Sequence, residues 1–244
     1  MTGQPFIILN SIDSTNNHAI DAVRSGTAQD GTVYFAMEQT KGKGQRGKTW
    51  NSIKGENLVL STIQSNKGLK IENQFMLSCA TSLACVDLLS KYAGDEFRIK
   101  WPNDLYWRDR KAGGMLIENI IKGSSWEKAI IGIGININQT SFPEMSNHPV
   151  SLKQISGKTF DPVELAKELC TLLEQRLSML EKQKFDELLS AYNNILYKHE
   201  AMTRFRKDNE IVEAVIKGVN ENGQLMLMKD VVFTVNFGEL EWLL

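Results

Sequence analysis

Apolar positions recur along this chain with two periods, and the switches between them mark its elements. Residues 6–9, 32–38 and 58–63 are short apolar runs bounded by turn-formers and predict strands. Between the first two, Asp13-Ser14-Thr15-Asn16-Asn17 opens an amphipathic helix running to about Ser25, and Ser14 or Thr15 is placed as its N-cap because a hydroxyl satisfies orphan backbone donors. The longest helical pattern spans 71–92, where Phe75, Leu77, Ala80, Leu83, Ala84 and Leu88 form an apolar face and Gly94 follows as the stop. Four strands are predicted next, over 96–101, 104–107, 114–121 and 126–137, and their short connections favour antiparallel or mixed pairing. Asp161-Pro162 begins a helix that continues through Leu180, and the pattern resumes over 185–196. Beyond His199 the period changes to short strands over 202–206, 211–220, 224–228 and 231–235, with Asn222-Gly223 as a hairpin turn. The change of character places a boundary near Tyr197, giving an α+β domain over 1–197 and a small β domain over 198–244.

Composition narrows the class without identifying it. With 244 residues, 42% of them apolar, the chain can bury a full core and leave room for a small appendage. A formal net charge of −1 argues against a dedicated nucleic-acid binder, so any basic cluster is a local feature. Cys79, Cys85 and Cys170 have no metal-ligand spacing and cannot all pair within one chain, which suits a reducing cytoplasm. No apolar run approaches membrane-spanning length, and Met1-Thr2-Gly3-Gln4-Pro5 lacks the basic-then-apolar pattern of a signal peptide.

Four segments carry candidate chemistry. Lys100-Trp101-Pro102-Asn103-Asp104-Leu105-Tyr106 sets a cation, an amide, a carboxylate and aromatics around a tight corner, and Asp109-Arg110-Lys111-Ala112-Gly113-Gly114 follows as a turn of a lysine beside small residues. Such a corner suits a charged ligand held against a rigid sheet, whereas Lys111 by itself reads as an ordinary exposed turn lysine. Gly42-Lys43-Gly44-Gln45-Arg46-Gly47-Lys48-Thr49 matches the spacing of a phosphate-binding P-loop. That reading requires a helix to begin at Lys48-Thr49, and the residues that follow predict a turn and then a strand. What remains is a glycine-rich loop between strands, bearing Lys41, Lys43, Arg46 and Lys48, able to wrap backbone N–H groups and cations around an anion. Finally, Gly132-Ile133-Gly134-Ile135-Asn136 is a buried strand whose glycines allow either close packing or close approach of a ligand.

Taken together these pieces resemble the biotin protein ligases. The resemblance rests on Asp13-Ser14-Thr15-Asn16, Gln39 with Gly42 to Trp50, Lys100 to Leu105, Arg110 to Gly114, and Gly132 to Asn136, which occur in the family's order and cover about 6–138. It implies a central mixed β-sheet backed by helices, like that of class II aminoacyl-tRNA synthetases, and a small C-terminal SH3-like β-barrel. Relatives that also repress transcription carry an extra N-terminal DNA-binding module. Because this chain starts almost directly at its first predicted strand, the expectation is a ligase without that module and without DNA as a partner.

The resemblance also implies a reaction and a set of roles. Biotin and ATP are the substrates with Mg2+, biotinyl-5'-AMP is the intermediate, and the acceptor is a lysine of a biotin carboxyl carrier domain. Lys111 would lie between the biotin carboxylate and the phosphate, with Lys100 and Asp104 as further catalytic groups. Ser14, Thr15, Asn16 and Gln39 would bind the ureido head, and Gly42, Lys43, Gly44, Gln45, Gly113 and Gly114 would complete the biotin site. Lys43, Gln45, Arg46, Lys48, Lys100, Asn103 and Asn136 would meet ATP or the adenylate, and Trp50 would stack on adenine unless it serves as a core anchor for the loop. Residues 140–149, just beyond Asn136 and Asn138, would form a loop that orders over the adenylate. The chain departs from many relatives in having Lys43 and Gln45 where they carry arginine. Lysine keeps the charge without the planar fork and glutamine loses it, so looser retention of the adenylate is expected, which a comparison of its release from wild type and Gln45→Arg measures. The metal ligands and the choice between monomer and homodimer stay open. The alternatives are a lipoate-protein ligase, which shares the adenylation logic, and a non-catalytic biotin-binding regulator.

Overall fold

A computed structural model describes residues 1–123, 125–143 and 148–243. Two sheets organise the chain. The larger contains β1 (Phe6–Leu9), β2 (Val33–Ala36), β3 (Asn57–Ser65), β4 (Phe97–Lys100), β5 (Asp104–Trp107), β6 (Arg110–Lys122) and β7 (Ser125–Asn136), in the order β1-β2-β3-β7-β6-β5-β4. Only β1 and β2 pair in parallel, so the sheet is mixed. The long hairpin of β6 and β7 lies near its centre, where hydrogen bonding on both sides fixes β7.

Helices cover both faces. On one face α1 (Thr15–Arg24) sets Ala19 and Ala22 against Tyr34, Ile63 and Ile130. On the other lies the main core, where α2 (Phe75–Ala93) is covered by α4 (Pro162–Glu181) and α5 (Phe185–Asn194), and a short α3 (Leu152–Ser156) follows β7. Asp161 caps α4 as its sequence predicts, accepting from the N–H of Val163 at 2.8 Å, a cap worth about 1 kcal/mol. Gly94 takes φ 80° just past α2 and ends it without the cost of a side chain. No helix among the described residues is long and apolar enough to cross a membrane.

The C-terminal unit holds β8 (Met202–Lys207), β9 (Glu210–Val219), β10 (Leu225–Met228), β11 (Val232–Val235) and β12 (Glu241–Leu243), ordered β11-β10-β9-β8-β12 and antiparallel throughout. Its predicted hairpin turn docks on the main core. The Gly223 carbonyl accepts from Trp101 Nε1 at 2.9 Å, and a Cβ on Gly223 would stand 2.7 Å from the Phe75 ring.

The structure corrects the sequence reading in three places. Ser14 takes the N-cap conformation of α1, but neither hydroxyl caps; the Gln39 carbonyl accepts from the Thr15 N–H at 2.7 Å and replaces it. Arg110 and Lys111 lie on β6, not in a turn, because Trp107 pairs with Arg110 and the reversal is confined to Arg108, at φ 51°, and Asp109. A fifth C-terminal strand, β12, was too short to show a period. Hydrogen bonding among the described residues leaves β11 and β12 as separate edges, so the unit is an open five-stranded antiparallel sheet and barrel closure is not seen. Of the loop expected over 140–149, Asn147 and its neighbours 144–146 lie outside the described residues.

Candidate active site

Strand alternation builds the floor of a cavity. In β7, Ile131, Ile133 and Ile135 enter the main core, so Gly132, Gly134 and Asn136 face the opposite side, where α1 begins. Gly114 of β6 pairs with Gly134 and widens this bare patch of backbone. Two side chains lie directly on it. A Cβ on Gly132 would overlap the amide of Asn16, and one on Gly134 would stand 2.6 Å from the Trp50 indole. The glycines therefore serve close approach, by a side chain of the protein in each case. The same logic explains Gly113, whose Cβ would meet the Gly134 carbonyl at 2.6 Å, and Gly42, whose Cβ would strike the Trp50 carbonyl. Neither Gly42 nor Gly113 lines the cavity, so the site uses them for packing.

One end of the cavity is neutral and polar. Thr15 Oγ1 donates to Gln39 Oε1 at 3.0 Å, and Ser61 Oγ lies 2.7 Å from Thr15 Oγ1 and 2.5 Å from Asn16 Oδ1, with one proton to give to either. Asn16 Nδ2 donates to Glu118 Oε2 at 2.7 Å. With its carbonyl used on Thr15, Gln39 offers a ligand its amide N–H groups. Ser14, Thr15 and Asn16 are all buried.

The other end is cationic and aromatic. Lys111 Nζ pairs with Asp104 Oδ1 at 2.6 Å, with the two side chains only 20% and 25% exposed. Lys100 Nζ donates to the Tyr106 hydroxyl at 3.2 Å and sits over the rings of Tyr106 and Trp242, 4.9 and 5.2 Å from their centres. Burial pulls its pKa down to about 8, although Asp104 nearby partly restores it and Lys111, Lys48 and Lys198 push it further down. Burial likewise raises the Tyr106 phenol, so that hydroxyl stays neutral.

Between the ends hangs the glycine-rich loop, closed on itself by Gly44 N–H to Lys48 O at 2.6 Å and Trp50 N–H to Gly42 O at 2.9 Å. No helix starts at its end; it holds one short 3-10 turn over Gln45–Gly47 and runs into extended chain. This removes the P-loop reading. Lys43, Gly44, Gln45, Arg46, Lys48 and Trp50 all face the cavity. The buried Gln45 Oε1 and Trp50 Nε1 have no protein partner among the described residues.

The structure thus gathers Ser14, Thr15, Asn16, Gln39, Lys43, Gly44, Gln45, Arg46, Lys48, Trp50, Lys100, Asn103, Asp104, Lys111, Gly114 and Asn136 around one cavity of about 1020 Å³. That is ample for two small ligands end to end, since a single one usually occupies about 300–1,000 Å³. Asn103 and Asn136 already use their amide N–H groups on backbone, at the Met115 carbonyl (2.5 Å) and the Val150 carbonyl (3.2 Å), which leaves their carbonyls for a ligand. Sequence reasoning missed Ser61, Glu118, Phe237 and Trp242, and it singled out the segment ending at Tyr106 without a role for that hydroxyl. Phe237 and Trp242 come from the C-terminal unit, whose β12 forms one wall. A second hollow, of about 610 Å³ beside Tyr92 and Phe160, is lined by Glu168, whose carboxylate is paired with Lys91, and has no comparable array of groups.

Residues 8–136 match the Biotin/lipoate A/B protein ligase family. Over 235 residues the chain is 30% identical to the bifunctional ligase/repressor BirA of Escherichia coli, covering 94% of this chain and 71% of that protein. It is 25% identical over 222 residues to the biotin--[acetyl-CoA-carboxylase] ligase of Paracoccus denitrificans, covering 88% and 90%. Its fold superposes on the biotin protein ligase of Aquifex aeolicus in complex with biotin and ATP with a TM-score of 0.82 and 26% identity, covering 97% of each chain.

Proposed function

The chain belongs to the Biotin/lipoate A/B protein ligase family, and from that premise we propose that the cavity is the active site of an ATP-dependent biotin protein ligase. The observation that supports this most is that one cavity joins a hydroxyl-and-amide nest to a cationic, aromatic chamber in which Lys111 is paired with Asp104. The nest suits a ureido head, which has one carbonyl acceptor and two N–H donors, better than a dithiolane, which has neither. The cationic chamber suits a nucleotide's phosphates, with Trp50 and Asn136 beside the base.

In the first step a biotin carboxylate oxygen attacks the α-phosphorus of ATP, a new acyl C–O–P linkage forms, and the bond to pyrophosphate breaks. The obstacle is the approach of one anion to another. Lys111 lowers it by exchanging Asp104 for the carboxylate and phosphate oxygens together, a charge-assisted contact that strengthens as charge accumulates. Asp104 holds Lys111 at this place until the ligands arrive. Lys100 holds a phosphate oxygen from the far side. In the second step an acceptor lysine amine attacks the acyl carbon, AMP departs, and the amine loses its proton.

Magnesium would neutralise phosphate charge. Among the described residues no group of three or more ligating side chains is gathered to cage it. Asp104 lines the cavity, and this fits a magnesium ion that enters on the nucleotide and keeps most of its waters, since such ions take one or two carboxylates. The acceptor is a biotin carboxyl carrier domain. The outer edge of β6 beyond Gly114, past the end of its pairing with β5, is the strand this reading assigns to it by strand addition. The open C-terminal sheet is read as an SH3-like unit.

Incubation with biotin, magnesium-ATP and a carrier domain should add the mass of one biotin less one water to the carrier, and nothing when ATP is omitted. A carrier that stays unmodified would overturn the assignment. The Lys100 environment adds a pH prediction. Only the protonated amine attracts phosphate, and its free-enzyme pKa is about 8, so affinity for ATP is full below that pH and falls as pH rises through it, by up to about ten-fold per unit. Lys100→Arg, which stays charged, should flatten the profile of KM for ATP between pH 7 and 9; an equally steep profile would exclude Lys100 as its source.

A further inference from the structure

One side chain fastens the glycine-rich loop to the C-terminal unit. Arg46 takes φ 54° and ψ 43°, the left-handed region that non-glycine residues seldom enter. Its guanidinium donates from Nη1 to the Gly238 carbonyl at 3.3 Å and lies 5.0 Å from the centre of the Phe237 ring. Phe237 meets the Trp101 ring edge-on at 6.0 Å, and Trp101 in turn is bonded to the Gly223 carbonyl. A continuous stack therefore runs from the β4–β5 corner through the C-terminal unit to the loop. Gly238 takes φ 89°, and a Cβ there would overlap the guanidinium, so this position is shaped as its seat. Among the described residues, no other hydrogen bond or ion pair links the loop to that unit.

From this geometry we infer that Arg46 is a positioning residue: a latch by which the C-terminal unit holds the glycine-rich loop over the cavity and slows escape of the activated intermediate. The inference rests on the ligase reading for the identity of that intermediate. It departs from the role that resemblance implies for Arg46, a direct contact to the nucleotide, because the guanidinium is engaged by an aromatic ring and a carbonyl. A cation held on a ring face and a carbonyl is a moderate attachment, strong enough to bias a loop and weak enough to open during turnover. The C-terminal unit thereby gains a function beyond walling the site: whatever shifts Phe237 alters loop closure.

Two readouts test the latch. Biotinyl-adenylate formed from biotin and ATP should leave Arg46→Ala about ten-fold faster than wild type and Phe237→Ala several-fold faster, and the double variant no faster than Arg46→Ala, because that substitution already removes both the ring contact and the Gly238 bond. Phe237 is 43% exposed, so its truncation leaves the core intact. In the protein without ligands, trypsin should cut at Lys43 and Lys48 about ten-fold faster in Phe237→Ala, with cleavage elsewhere in the chain unaltered. Faster release in Arg46→Ala with wild-type release in Phe237→Ala would mean that Arg46 binds the nucleotide directly, and would overturn the latch, as would unaltered loop cleavage. The proteolysis result holds even if wild type forms no adenylate, an outcome that would count against the ligase reading alone.

Discussion

Lys111→Ala is expected to reduce biotin-dependent exchange of pyrophosphate into ATP by about 10²–10³-fold, the loss typical when one preorganised donor to a developing anion is removed. The expectation follows from position. Lys111 lines the cavity that the nest and the cationic chamber share, it is mostly shielded from water, and Asp104 holds its amine 2.6 Å away. Lys100, the nearby cation, is engaged by Tyr106 and Trp242, whereas Lys111 alone is paired with Asp104. The variant also leaves Asp104 as a carboxylate without its counter-ion, in the place where two further anions must meet, so the loss falls on the chemical step. Lys111→Arg keeps the charge but replaces a compact ammonium 2.6 Å from Asp104 with a longer planar fork that cannot occupy the same point. It should recover only a minor part of the rate. An Ala variant within ten-fold of wild type would remove Lys111 from the mechanism.

A larger effect on binding than on chemistry is expected from Gly132→Ala. The new methyl would overlap the Asn16 amide. β7 cannot move away, since Gly132 is paired with Ser61 on one side and Leu116 on the other. Asn16 must yield, which breaks its contacts with Ser61 and Glu118 and leaves buried polar groups unmatched at about 1–3 kcal/mol. KM for biotin should therefore rise about 10–100-fold while kcat at saturating biotin changes several-fold at most. Asn16→Ala should reproduce the biotin effect without the overlap. A Gly132→Ala enzyme with wild-type KM for biotin would show that the nest does not hold the ureido head.

Much of this site is legible in the sequence because its chemistry is local. Lys100 to Tyr106 combines residue types that packing alone seldom places side by side, and strand β5 with the following hairpin brings Lys111 back onto Asp104. The β7 glycines were legible as places of close approach, though not what approaches; only the tertiary fold sets Asn16 and Trp50 on them. Ser61 and Glu118 gave no signal, since a serine or a glutamate in an apolar strand is ordinary and each acquires its role from a partner 40 or more positions away. Phe237 and Trp242 were hidden for a further reason. They belong to a unit whose strands are short and whose docking rests on contacts between residues far apart in the chain, among them Gly223 with Trp101 and Asn193 with Val219. Arg110 and Lys111 were assigned to a turn because two charges after Asp109 resemble a loop, whereas pairing with β5 keeps them extended.

The central claim is that this cavity activates biotin. The most direct measurement is exchange of labelled pyrophosphate into ATP with biotin, with lipoate and with no acid added. Exchange that requires biotin and stays at background with lipoate is the predicted result. Exchange driven equally by lipoate would contradict the assignment of the hydroxyl-and-amide nest, and no exchange with either acid would contradict adenylation itself.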